Sequence, residues 1–106
     1  MASETNYPSF WVPNVNVLVN AAGELVIKAE LAGISNDDFE IVIEGQTLTL
    51  AGQRADPDGR GAKYLVLEMH HGRFESVLEV PKEFDLSRAR NTYQNGLLRF
   101  VAPRRT

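Results

Sequence analysis

"NTYQNGLLRFVAP", residues Asn91 to Pro103, carries the reading that decides the fold. Asn95-Gly96 is a two-residue hairpin signal, because both central positions of the favoured turn need positive φ, which Asn and Gly tolerate. After the turn, Leu98, Phe100 and Ala102 share one face, and Pro103 closes the run before a basic end.

Upstream of the hairpin the same period of two dominates. "NVNVLVN" sets Val15, Val17 and Val19 against Asn14, Asn16, Leu18 and Asn20, and Ala22-Gly23 turns the chain. "ELVIKAELA" places Leu25, Ile27, Ala29 and Leu31 on one side and Lys28 and Glu30 on the other. "GISNDD" is a turn-rich connector. "FEIVIEG" aligns Phe39, Ile41 and Ile43, and "TLTLAG" turns Leu48 and Leu50 inward. Between Gln53 and Lys63 the alternation stops in a Gly- and Asp-rich loop. "YLVLEM" then resumes as a strand, and "RFESVLEVP" follows with Phe74, Leu78 and Val80 aligned. "KEFDLSRAR" offers at most one helical turn. Half-buried strands with Gly, Asn and Asp between them predict an all-β antiparallel sandwich of about eight strands.

Composition narrows the function. At 106 residues and 43% hydrophobic content the chain suits one domain with one core. No apolar run approaches the roughly 20 residues of a membrane helix, so no membrane partner is expected. The start shows no secretory signal, which makes the cytoplasm the expected location. A net charge of -3 argues against a nucleic-acid surface. Arg104 and Arg105, near Arg99, read as a solvated tail.

Candidate chemistry reduces to structural readings. His70 and His71 are the only histidines, there is no cysteine, and strand neighbours point to opposite faces. Neither a metal centre nor a nucleophile with its base can be assembled from them. Asp37-Asp38 sits at a strand start, and Asp56-Pro57-Asp58-Gly59 is turn chemistry rather than a calcium loop. No phosphate-binding glycine loop is present. The expectation is a protein that is not an enzyme and uses no cofactor or metal.

Several stretches, in order, resemble the alpha-crystallin domain of small heat-shock proteins. "NTYQNGLLRFVAP" is similar to its closing Ala-x-x-x-(Asn/Asp)-Gly-(Val/Leu)-Leu run. "FWVPNVNV" resembles its Trp-x-Pro entry. "AELAGISNDDFEIVIEGQTLTLAGQR" resembles its Leu-Pro-Gly turn and Leu-x-(Leu/Ile)-x-Gly-x-Arg strand, and "YLVLEMHHGRFESVLEVPKEFD" its Glu-x-x-x-Gly-x-Phe centre. The departures are Ala32 for the usual Pro, Met69 and Ser76 for arginines, and Asn91 for Ala. The interface pairing of those arginines is therefore not carried over.

The resemblance implies an immunoglobulin-like sandwich whose long loop carries an exchangeable strand. Residues 1–10 would be a short arm, 11–103 the domain and 104–106 a cut-short tail, in either a minimal member or a trimmed domain. It implies a homodimer, with Tyr64, Leu65, Val66, Leu67 and Glu68 pairing with Val15, Val17 and Val19 of the partner, and Ser76 nearby. With so little arm and tail, a dimer rather than a large shell is expected. Ile41, Ile43 and Tyr93 either line a docking groove for apolar peptide segments or are plain core. The implied activity is ATP-independent holding of unfolding client proteins under stress. The rival is a co-chaperone sandwich that binds another chaperone; an enzyme or nucleic-acid module on a sandwich finds no supporting residues.

Overall fold

Seven strands follow one another along the chain: β1 Val15–Val19, β2 Leu25–Glu30, β3 Phe39–Glu44, β4 Thr47–Arg54, β5 Gly72–Glu79, β6 Arg90–Gln94 and β7 Leu97–Ala102. They come from a computed structural model that describes residues 10–106, so the expected arm, residues 1–10, lies outside the described residues except for Phe10. β1-β2-β7-β6 form one sheet and β3-β4-β5 the other, and every ladder is antiparallel. The only helical pieces among the described residues are 3-10 turns at Asn36–Asp38 and Leu86–Arg88. The second is the single turn expected in "KEFDLSRAR".

The period of two sorts side chains as read. Leu25, Ile27, Ala29, Leu98, Phe100 and Ala102 of one sheet meet Leu48, Leu50 and Phe74 of the other in one buried cluster. Each large apolar side chain buried there contributes about 1.5–3 kcal/mol. Connections are fixed by short polar residues: Asn20 Oδ1 accepts from the Ala22 and Glu24 amides, and Ser35 Oγ accepts from the Asp37 amide.

The hairpin that led the reading is a tight one. Asn95 and Gly96 both take positive φ, 54° and 77°, and join β6 to β7 directly. Gly96 has a second reason to lack a side chain. A Cβ there would lie 2.9 Å from Ala32 Cα, and its carbonyl accepts from the Leu31 amide at 2.7 Å.

Two expectations need correction. The strand expected at "YLVLEM" has no ladder within the chain, so the described residues form seven strands where about eight were expected. An extended segment becomes a strand only when another edge accepts its backbone, and no described strand of the same chain does. The basic end is not a free tail either. Arg104 bridges to Phe84, the Arg105 amide donates to the Glu83 carbonyl, and its guanidinium donates to Gln46 Oε1 at 2.8 Å.

Candidate functional site

β1 is an outer strand of the four-stranded sheet, and its far edge carries no partner among the described residues. Val15 is half-buried, but Val17 is 52% exposed and Val19 stands out with it. A strand edge leaves unpaired N–H and C=O groups that template the addition of another strand. Residues Tyr64 to Met69 are the complementary feature. All are exposed, Leu65 at 90%, and Val66, Leu67 and Met69 lie open with it. So apolar a run is costly to leave in water.

The base of that segment is held by a cluster that the sequence pattern does not single out. Arg54, the last residue of β4, donates through Nε to the His70 carbonyl at 2.8 Å and through Nη2 at 2.5 Å. Its Nη1 donates to the Ala32 carbonyl at 3.1 Å, and the guanidinium lies 4.5 Å from the centre of the Trp11 ring. Trp11 stacks on His70 at 5.8 Å, and its indole N–H donates to the Gly72 carbonyl at 3.1 Å. The Trp11 backbone also bridges to β5 through Arg73 and Glu75. A planar cation with several donors can tie three distant segments at once. The stretch from Ala55 to Met69 therefore leaves and re-enters the domain at a fixed point. Within it, Asp56 accepts from the Asp58 amide, and the Tyr64 hydroxyl donates to the Asp56 carboxylate. That bond pushes the Tyr64 phenol up to about 12 and holds Asp56 below the usual carboxylate range.

Ile41, Ile43 and Tyr93, expected either to line a groove or to be core, lie on two outer strands, one from each sheet. β3 and β6 are both outer strands, and Phe39 meets Tyr93 edge-on with ring centres 5.0 Å apart. Ile41 and Tyr93 pack against the core, whereas Ile43 is 41% exposed. The Tyr93 hydroxyl lies 2.6 Å from both the Leu31 and Ile34 carbonyls and shares its single proton between them. Tyr93 is thus a fixed wall, and Ile43 the open part. Ser76 pairs with Leu50 on β4 and is only 7% exposed, so in the single chain it faces inward rather than onto a free surface.

No group of three or more His, Cys, Asp or Glu that could hold a metal occurs among the described residues. No helix of the described residues is long and apolar enough to cross a membrane. What the geometry offers is backbone edges and apolar side chains.

Against known proteins, the family model described as "Hsp20/alpha crystallin family" matches residues 17–106. The chain belongs to the Hsp20/alpha-crystallin family. It is 31% identical over 87 residues to the 19.0 kDa class II heat shock protein of Oryza sativa, a match covering 76% of this chain and 50% of that protein. The chain spans about half the length of the curated relatives it matches. Among solved structures, hspA from Xanthomonas axonopodis superposes with a TM-score of 0.82 at 23% identity, covering 92% of this chain and 97% of that one. A small heat-shock protein from Xylella fastidiosa gives 0.83 at 23% identity, covering 92% and 90%. The seven-strand sandwich of the described residues is thus an alpha-crystallin fold, and the family match takes in the quoted motifs from Val17 onward.

Proposed function

We propose that this alpha-crystallin domain holds partly unfolded proteins and keeps them from aggregating, without ATP and without catalysis. Such an activity needs apolar surface and strand edges offered to exposed client segments before those segments meet one another. The observation that carries the reading is a pair of features in one chain of this family: a β1 edge unpaired among the described residues and the exposed, largely apolar run Tyr64 to Met69. In the proposal the run of each chain adds to the partner's β1, so that Val15, Val17 and Val19 are covered, while the inward-facing Ser76 brings no charged group to the interface where the family's arginine would. The product is a homodimer. The groove at Ile41, Ile43 and Tyr93 is the docking place for apolar peptide segments, with Ile43 its accessible contact. No cofactor or metal enters, and the expected setting is the cytoplasm.

The test is light scattering by a heat-unfolding client protein with the chain present and nucleotide absent. Suppression that rises with chain concentration, and weakens for Ile43→Asp, is the expected result. Scattering that is unchanged by the chain, or reduced only when ATP and a second chaperone are added, would favour the co-chaperone reading.

A further inference from the structure

The outer faces of the two sheets, those turned away from the core, carry opposite charge. On the three-stranded sheet the ladder aligns Glu40, Ala51 and Glu75 in one row. The next row is Val42, Thr49 and Val77, with Val42 39% and Val77 56% exposed. Glu44, Thr47 and Glu79 make the third. An open apolar row therefore lies between two rows of carboxylates. Beyond Glu40 and Glu75 the face deepens into a cleft of about 340 Å³, where Asp37 and Asp38 join them. Six carboxylates against the one cation Arg73 make a formal charge of -5, more than the whole chain's -3.

The four-stranded sheet shows the reverse. Asn16, Lys28, Arg99 and Thr92 align in one row across its outer face. Leu18 stands exposed in the row on one side and Leu97 in the row on the other. Of the acids on this side, Glu24 pairs with Arg90 and also feels Arg99, and Glu30 accepts from the neutral Asn14 amide and keeps its charge, so Lys28, Arg90 and Arg99 against these two leave a formal +1. Lys28 and Arg99 have no carboxylate partner in an ion pair among the described residues.

We propose that these two faces are the two halves of one contact between copies: the carboxylate face of one chain stacks on the Lys28–Arg99 face of a second. Rows on either sheet are two residues apart, about 7 Å. A register that sets Glu40 and Glu75 over Lys28 and Arg99 therefore sets the valine row against Leu18 or Leu97. Each face supplies what the other lacks, in charge and in apolar contact. A contact held by exposed charges is screened, so its strength is governed by salt. Because the two faces differ, the contact is heterologous: it cannot be satisfied within a pair of chains and builds rings or open stacks of three or more. It uses sheet faces and not strand edges, so it stands whether or not strands are exchanged.

Sedimentation velocity of the full chain, over a range of concentrations, tests this. At about 10 mM salt, where the Debye length is about 30 Å, the mass should climb with concentration; at about 1 M, where it is about 3 Å, it should stay at its base value. Glu40→Lys with Glu75→Lys in one chain, and Lys28→Glu with Arg99→Glu in another, should each abolish the climb. Their equimolar mixture should restore it, which also shows that both variants are folded. A control with Asp58→Lys and Glu83→Lys matches the first variant's net charge with both faces intact and should stack like the parent. A parent mass indifferent to salt, stacking by either face variant alone, loss of stacking in the control, or a mixture that stays apart would each overturn the proposal.

Discussion

Gly96 answers to two demands at once, a φ of 77° and a neighbour, Ala32 Cα, where a Cβ would need to be. Gly96→Ala should therefore destabilise the fold by about 1–3 kcal/mol, read as a shift in the urea midpoint with an unchanged slope. An unshifted midpoint would mean that the turn relaxes freely. The turn was legible from Asn95-Gly96 alone; the approach to Ala32 was not, since it depends on a residue 64 positions away. Tyr64 makes a second test at this scale. Its bond to Asp56 favours the protonated phenol, so the contribution is present below pH 10 and is lost as pH rises toward about 12. On the acid side the Asp56 pKa is lowered, so its contribution is present above the ordinary carboxylate range and lost as pH falls through the lowered value. In an ultraviolet titration, the tyrosinate signal removed by Tyr64→Phe should be the component near 12. If that component titrates near 10, the bond to Asp56 is not made in solution.

Among elements, strands with one buried face were the most legible, because alternation reports burial directly. β4 and β5 sit where Leu48 and Leu50, and Phe74 to Val80, alternate; β2 and β7 keep the period at Leu25 to Leu31 and Leu98 to Ala102 but also bury Val26 and Val101 on the opposite face. "YLVLEM" has the same strand composition and yet no ladder, because apolar content marks a segment suited to pairing and does not say which edge accepts it. The cluster of Arg54, Trp11 and His70 was hidden for another reason: it joins three segments, and only the fold brings them together. Arg54→Ala should speed amide exchange from Ala55 to Gly72 and cost about 1–2 kcal/mol, as expected for charged but exposed hydrogen bonds. Arg54→Lys should not rescue it, since an ammonium cannot reproduce the planar fork over Trp11. Full rescue by lysine would reduce the cluster to simple charge.

The whole molecule presents a sandwich with a closed core and an open edge. The core was legible because each apolar set faces the other sheet; how the edge is covered was not, because no described strand of the same chain reaches it and, in the proposal, the covering strand comes from a second copy. A strand exchanged across a two-fold axis closes on itself, which limits that association to two chains. In the two proposals size has two independent determinants: edge pairing that would set the dimer, and face contacts that would respond to salt. The central claim is that Tyr64 to Met69 of each chain completes the sheet of its partner beside β1. Isotope-filtered nuclear Overhauser spectra of a mixed dimer, one chain labelled and one not, see contacts between chains only. The account predicts such contacts between Tyr64–Met69 of one chain and Asn14–Val19 of the other, lost with dimerisation when Ala62 to Met69 is deleted. Their absence from a sample whose mass is that of two chains, or a dimer that survives the deletion, would contradict it.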